Sequence, residues 1–407
     1  MKKFVFYTLL LCLLFMLTAC GEAIPPSDDV QTNHGNAFTN PIMKNDSGYF
    51  YNNPQLSTMS LRYYDATSGS TIYLCNKPEC SHDGNKFCVA TNDDYIPLFT
   101  CFYDNYIYVA AFYNIENEYS YKLLRIKPDG TELTEIATYK KLSGLSTYNA
   151  YNRYMIIHQG KAFIPYQIID TVITKNPVNM NPMTGVTGTA IVDLSSGKVE
   201  YLDEYSLTDT NGQSNFKACE DYFYYTTNLN HKTTLYRYHL TTKETQSLPT
   251  KINFGGVYSV ADNNNIYYLR TQLYLYHPDT DETINLINTW PSTYTITLDD
   301  GTVTTTNMDF QASGLQCDGT YLYVGDNCSS ITGTSNYFSS LGSYIHMYTL
   351  DGTEVAKVPC NYRDYISVNI LDGMFYLQSE EKIIGCTIES MLTETPDFKE
   401  ILTFKTN

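Results

Sequence analysis

One unit of sequence recurs along this chain of 407 residues. A turn of Asp, Asn or Gly precedes a tyrosine-rich strand, followed by a variable segment, a second apolar strand and another tight turn. Asn105-Tyr106-Ile107-Tyr108-Val109 leads to Leu123-Leu124-Arg125-Ile126-Lys127-Pro128-Asp129-Gly130. Asp221-Tyr222-Phe223-Tyr224-Tyr225 leads to Leu235-Tyr236-Arg237-Tyr238-His239-Leu240. Asn265-Ile266-Tyr267-Tyr268-Leu269 leads to Leu273-Tyr274-Leu275-Tyr276-His277, and Tyr321-Leu322-Tyr323-Val324 leads to Ile345-His346-Met347-Tyr348. Weaker copies begin at Gly48, Gly160 and Asp372, which makes seven copies spaced about 43 to 61 residues apart. Short-strand repeats of this period are the blades of a propeller. A closed ring hides most strand edges and accommodates a chain of this length in one fold. The expectation is all-β: a single β-propeller of seven blades, with six or eight as the neighbouring counts. The 39 tyrosines suit pleated, half-buried strands, and only Ile388–Leu392 suggests a turn of helix.

The repeat also predicts where long segments fall. With strands a to d counted outward from the axis, a–b and c–d turns share one face, and b–c and d–a connections share the other. Asp129-Gly130, Ser196-Gly197 and Asp351-Gly352 are c–d turns, rich in residues that reach positive φ. Phe112–Ser120, Pro165–Thr189 and Asn327–Ser343 are expected as b–c loops, and Pro291–Ser313 as a d–a connection or an extra hairpin. Loops held on a rigid scaffold are where recognition concentrates.

The first residues set an address. Lys2 and Lys3 precede an apolar run from Phe4 to Leu17, then Leu17-Thr18-Ala19-Cys20. A basic start, a short apolar core and small residues before a cut site form a secretory signal peptide over 1–19. The run is shorter than the ~20 residues of a membrane span. Leu-Thr-Ala-Cys resembles the lipobox of bacterial lipoproteins. That resemblance implies cleavage before Cys20, a diacylglyceryl thioether on its sulfur and a fatty acyl chain such as palmitate on its amino group. Several acyl chains give stable attachment to a cell membrane, with the protein on its extracytoplasmic side. Residues 20–41, rich in Pro, Asp, Asn and Gly, form a flexible tether, and 42–407 form the propeller. The net charge of −17 argues against a nucleic-acid partner. The repeat pattern across 45–405 resembles the DUF5050-type propeller-like repeats of exported proteins in Clostridia-like bacteria. That family has no assigned activity, so the resemblance implies fold and setting only.

The sharpest local motif is Cys75-Asn76-Lys77-Pro78-Glu79-Cys80-Ser81-His82-Asp83-Gly84-Asn85-Lys86-Phe87-Cys88, in the first d–a connection. Two chemistries stay open. Three thiols and an imidazole, Cys75, Cys80, Cys88 and His82, complete a tetrahedral zinc set, although C-x4-C-x-H-x5-C is not a familiar zinc spacing. An exported protein also meets oxidising conditions, so Cys80–Cys88 or Cys75–Cys88 could pair as a disulfide and leave one thiol over. Nine cysteines follow Cys20, and an odd count leaves at least one unpaired within the chain. Cys219 and Cys317 share one repeat slot, with Cys101 on the same side, as small buried residues of inner strands.

No nucleophile elbow, phosphate loop, H-E-x-x-H or EF-hand loop occurs. His239 and His277 occupy one repeat position, which points to a structural role. No catalytic residue and no cofactor other than the candidate zinc is assigned. The expected function is a membrane-anchored lipoprotein that binds a protein or carbohydrate ligand through its long-loop face without catalysis. The alternative is a carbohydrate-active or other hydrolytic propeller, which would require converging carboxylates.

Overall fold

The computed structural model describes residues 42–404 except 53–58, 85–87, 116–117, 143–145, 148–154, 171–184, 208–209, 230–231, 250–257, 262–263, 270–271, 288–289, 291–292, 298–302, 308–311, 327–343, 360–366, 372, 380 and 394. Cys20, the leader, the tether and the Asn327–Ser343 loop lie outside the described residues, as do Cys328 and Cys360. Among the described residues the chain forms seven antiparallel sheets, each built on a four-stranded meander, and one separate hairpin. They are the seven blades of a β-propeller.

Blade 1 comprises Met43–Asn45, Gly48–Asn52, Met59–Asp65 and Ser70–Tyr73, and blade 2 comprises Tyr95–Tyr103, Tyr106–Ile115, Glu118–Ile126 and Leu133–Leu142. In blade 3 the first strand is split into Ser146–Thr147 and Ile156–His158, followed by Lys161–Asp170, Gly185–Asp193 and Val199–Ser206. Blade 4 is Thr210–Cys219, Tyr222–Leu229, Lys232–His239 and Thr245–Ser247, and blade 5 is Tyr258–Ala261, Asn265–Leu269, Leu273–His277 and Glu282–Ile287. Blade 6 is Ala312–Cys317, Tyr321–Asp326, Tyr344–Thr349 and Glu354–Pro359, and blade 7 is Ser367–Leu371, Met374–Gln378, Lys382–Thr387 and Lys399–Thr403. First strands of successive blades approach one another from blade 1 round to blade 6, which sets them along the axis. The expected turn of helix is present as Ile388–Met391, inside the last turn of blade 7.

Each apolar cluster of the core lies between two adjacent blades. Alternate residues of one second strand therefore fill two different seams. In blade 2, Ile107, Val109 and Ala111 face blade 1, while Tyr108, Ala110 and Phe112 face blade 3. In blade 4, Phe223 and Tyr225 face blade 3, and Tyr224 faces blade 5. With both faces buried, polar alternation disappears from these strands, hence the runs of Tyr, Ile, Val and Phe in the sequence. Tyrosine both fills the seams and links them. Tyr121 donates its hydroxyl to the Gln167 carbonyl across the blade 2–3 seam (2.9 Å), and Tyr224 donates to Asn264 Oδ1 across the blade 4–5 seam (2.8 Å).

Among the described residues, blade 7 and blade 1 each keep four strands from their own stretch of chain, and an apolar cluster of side chains joins them. Ile42, Tyr49 and Tyr51 meet Tyr376, Ile383, Leu402 and Phe404 there. Tyr49 and Tyr376 pack edge to face with centroids 6.2 Å apart.

Turn chemistry follows the expected plan. Asp104 and Asn105 both take positive φ (45° and 58°), the conformation of a two-residue hairpin turn. The outer c–d turns of blades 2 to 6 have a second role, because they rest on the outer strands of the preceding blade. A Cβ on Gly197 of blade 3 would lie 2.5 Å from the Ile136 carbonyl oxygen in blade 2. Lys243 in the blade 4 turn pairs with Glu200 of blade 3 at 2.7 Å, and Asp279 in the blade 5 turn pairs with Arg237 of blade 4 at 3.0 Å.

Two expected loops are strands. Phe112–Ser120 is the tip of a continuous hairpin, paired Phe112↔Tyr121 out to Ile115↔Glu118. Pro165–Thr189 likewise contains paired strand from Pro165↔Thr189 to Ile169↔Gly185, leaving only 171–184 outside the description. Pro165 stands inside this second strand, paired with Thr189 of the third, and the described pairing with the first strand covers 161–163 and 169–170. The Pro291–Ser313 stretch holds an extra hairpin, Thr293–Thr297 with Val303–Asn307.

A fully buried charged residue lies on a first strand. Lys217, on the first strand of blade 4, is 1% exposed, and burial lowers its ammonium pKa to about 7, partly offset by the nearby Cys317. It follows Phe216 and precedes Ala218, both in the blade 3–4 seam, so its side chain leaves the opposite face.

Two outcomes follow from this packing. Phe223 stacks on Phe163 at 4.1 Å and 10° in the blade 3–4 seam. Phe223→Ala should lower the stability of the purified protein by about 3–5 kcal/mol in urea unfolding. For Lys217 the folded pKa lies below the unfolded value of 10.5. The unfolded chain then binds more protons between those two pH values, and stability contributed by this group rises with pH across the window. Comparing wild type with Lys217→Met between about pH 7.5 and 9, the wild type should gain up to ~1.4 kcal/mol per pH unit more. Equal slopes would mean that Lys217 is not buried in this way.

Candidate metal centre and recognition face

The connection from blade 1 to blade 2 carries the cysteine cluster. It leaves the outer strand of blade 1 at Leu74, where the Cys75 N–H donates to the Tyr73 carbonyl at 2.8 Å. The blade 2 outer turn presses on this point: a Cβ on Gly130, which has φ +71°, would lie 2.8 Å from Cys75 N and from the Leu74 carbonyl oxygen. A short turn follows, closed by the Cys80 N–H on the Lys77 carbonyl at 3.1 Å. The chain returns through Cys88, Val89 and Ala90, all buried in the blade 1–2 seam beside Ile107, Val109 and Ile126. Thr91–Asn92 then pairs with Met59 and Ser60 at the start of the third strand of blade 1.

This path brings Cys75, Cys80, His82 and Cys88 together. Their ligand atoms all lie within 4.8 Å of one another, with Cys88 buried and the other three half-buried. The structure holds all three cysteines as free thiols. His82 sits at φ 54°, its ring stacked on Tyr73 at 4.6 Å and 26°. The Arg62 guanidinium lies 4.5 Å from the Tyr73 ring centroid and also donates to the Tyr73 hydroxyl at 3.1 Å. His82 Nδ1 lies 3.4 Å from Cys88 Sγ, and the Thr91 N–H donates to the same sulfur at 3.3 Å.

These contacts split the thiols electrostatically. Burial pushes the Cys88 thiol up, but hydrogen bonds from His82, Thr91 and Cys80 outweigh it and bring the group to about 6. The backbone N–H of His82 pulls Cys80 down, yet burial and the neighbouring Cys88 and Cys75 sulfurs raise it to about 11. A thiolate at Cys88 is thus already favoured by its surroundings, as a metal ligand requires. The motif was visible in the sequence, but the Tyr73 and Arg62 clamp was not marked. Its signal was the register across the Asp65-to-Ser70 turn, which sets Arg62 opposite Tyr73.

The second feature is a raised pair of arms. The central strands of blade 2 and blade 3 run 9 or 10 residues, against 5 or 6 in blades 5, 6 and 7. The excess length extends from the b–c end, where the longest connections were expected. Lys140 of blade 2 pairs with Glu204 of blade 3 at 2.7 Å, and Tyr166 donates to the same carboxylate at 2.7 Å. On the blade 2 arm Tyr95, Tyr113 and Tyr119 are half-buried. The Tyr95 and Tyr113 rings lie 5.4 Å apart, with Lys122 Nζ 4.1 Å from the Tyr113 ring centroid.

His239 and His277 serve turns and strands. His239 Nδ1 accepts from the Thr241 N–H at 3.1 Å, and His277 Nδ1 meets Asn265 Oδ1 at 2.7 Å. Cys101, Cys219 and Cys317 are buried on first strands.

No family model and no curated protein matches the sequence. Solved structures do match in fold. One is a prolyl endopeptidase, with a TM-score of 0.52 and 12% identity, covering 93% of this chain and 52% of that one. Another is apo prolyl oligopeptidase B from Galerina marginata, with a TM-score of 0.50 and 11% identity, covering 88% of this chain and 49% of that one. The chain thus spans about half the length of these peptidases, and at such identity the likeness is one of fold.

Proposed function

We propose that this protein is an extracytoplasmic lipoprotein, anchored to the cell membrane through Cys20, whose propeller binds a protein or carbohydrate ligand without catalysis. The observation that carries the binding reading is the braced, tyrosine-bearing arm of blade 2. Tyrosine offers a large amphipathic contact area at low entropic cost, and a braced hairpin has little freedom left to lose on binding. Tyr95, Tyr113 and Tyr119 stand partly open on this arm, and its tie to blade 3 keeps it upright. The address rests on Leu17-Thr18-Ala19-Cys20 and on the polar segment that follows. Residues 20–41, extended at up to ~3.5 Å each, would let the ring stand tens of ångströms off the membrane.

The prolyl peptidase likeness bears on the competing reading, a hydrolytic propeller. Glycoside hydrolysis would need two carboxylates within about 10 Å of one another. Among the described residues the first strands of the seven blades contain no Asp or Glu, so these strands supply no such pair.

The test joins both halves. Metabolic labelling with an alkynyl fatty acid should mark the wild type and not Cys20→Ser, and the variant should leave the membrane fraction. On glycan and peptide arrays, a ligand of the wild type should bind at least tenfold more weakly to Tyr113→Ala and Tyr119→Ala. Equal binding by these variants would remove the blade 2 arm from the account, and turnover of a bound ligand would replace binding with catalysis.

A further inference from the structure

We propose that Cys75, Cys80, His82 and Cys88 bind one zinc ion in a closed, structural site that pins the connection between blades 1 and 2. This inference is independent of the lipid anchor and of the recognition face.

Geometry is the first support. A tetrahedral zinc with Zn–S near ~2.3 Å and Zn–N near ~2.05 Å places its sulfurs about 3.8 Å apart and each sulfur about 3.6 Å from the nitrogen. Here His82 Nδ1 is 3.4 Å from Cys88 Sγ, and all four ligand atoms fall within 4.8 Å. An adjustment of about an ångström completes the tetrahedron. A chain brings three thiols and an imidazole this close at a cost in desolvation, unless an ion shares them.

The surroundings are those of a metal site. Cys75 is fixed by the end of the outer strand of blade 1 and by the Gly130 turn. The ring of His82 is fixed by Tyr73, which Arg62 holds in turn. The Thr91 N–H reaches Cys88 Sγ at 3.3 Å, a bond a zinc thiolate can keep while it ligates, and one that orients the sulfur. Gly84 brings the loop down to Asp93: with φ +89°, a Cβ there would collide with the Asp93 carboxylate.

The donor set chooses the ion. Thiolates select zinc over magnesium or calcium, and three thiolates with one imidazole is a recurring structural zinc combination. Four protein ligands leave no position for water or substrate, so the site does not catalyse. On binding, the thiols give up their protons to solvent, and the dication with three thiolates and a neutral imidazole carries a net charge of −1. A disulfide accounts for less. Pairing any two of the three cysteines leaves a third thiol and His82 in the same pocket.

The consequence is mechanical support for one seam. Between Tyr73 and Thr91 the described chain forms no strand or helix, yet it delivers Leu74, Cys88, Val89 and Ala90 to the blade 1–2 core. Hydrogen bonds tie Leu74 and Ala90 to Leu61 at its two ends, and an ion joining Cys75 to Cys88 adds a direct cross-link between them.

Metal analysis of the full-length, detergent-solubilised protein, purified under reducing conditions without chelator, tests the proposal. One zinc per chain is expected, falling to background in Cys75→Ser and Cys88→Ser and unchanged in Cys386→Ala, which lies in the blade 6–7 seam. Less than a tenth of an equivalent, even after incubation with zinc and reductant, overturns it. Should the serine variants fail to fold, cobalt substitution of the wild type decides: tetrahedral cobalt thiolate absorbs intensely in the visible, whereas a weak octahedral spectrum overturns the site. A disulfide between any two of the three cysteines, found by mass spectrometry in protein isolated without reductant, also overturns it. Finally, stripping the zinc with a chelator should lower Tm, and an unchanged Tm removes the structural role.

Discussion

Everything in this fold depends on apolar contact between neighbouring sheets. A single blade is a four-stranded meander with two greasy faces and no means of covering either. Each becomes stable only by lending one face to the blade before it and the other to the blade after it. Phe163 against Phe223, Tyr323 against Phe375 and Phe50 against Phe102 are local instances of the same contact. Since each seam consumes half of two sheets, the number of seams must equal the number of blades, and the circle has to close. Blade 7 and blade 1 satisfy this with an apolar cluster of side chains.

A second set of contacts works at the rim. The outer turns of blades 2, 3, 4 and 5 each rest on the outer strands of the preceding blade, through Gly130, Gly197, Lys243 and Asp279. The ion pairs among them are exposed on at least one side and contribute little individually. Their value is in register, because they set the angle between neighbouring sheets where the apolar core thins out. The cysteine cluster lies at one of these rim contacts, where the Gly130 turn meets Cys75. A metal held there acts on blade 1 and blade 2 together.

Much of this was legible in the sequence, for a physical reason. Strands buried on both faces cannot tolerate polar alternation, so each second strand is marked by an unbroken apolar and tyrosine run, and seven such runs were countable. The ends of strands were harder to read. The run Asn114-Ile115-Glu116-Asn117-Glu118 is mostly polar, although Ile115 pairs with Glu118 as strand. The same polarity marks a loop, hence the misreading of Phe112–Ser120. Pro165 misled in the same way, since proline inside a run reads as a loop signal, whereas here it is paired with Thr189. The cluster residues were identifiable by type, but the approach of Cys75 to Cys88 depends on a return path through the blade 1–2 seam. The choice between disulfide and metal lay beyond spacing alone.

The junction of blade 7 with blade 1 differs from the other six in its covalent chemistry. Every other pair of neighbouring blades is joined by the polypeptide itself, whereas here Ile42 and Phe404, the two ends of the described chain, lie in one apolar cluster. Tension applied through the residues before Ile42 would therefore arrive at the one place where the circle can part without stretching a bond between blades. Its first load would fall on Met43–Asn45, three residues held by Gly48–Asn52 on one side. Opening there would leave blades 2 to 6 intact as an arc, with Tyr49 and Tyr376 as the facing edges of the gap. A ring of this construction has a defined point of failure under load, next to the segment through which an anchor would pull.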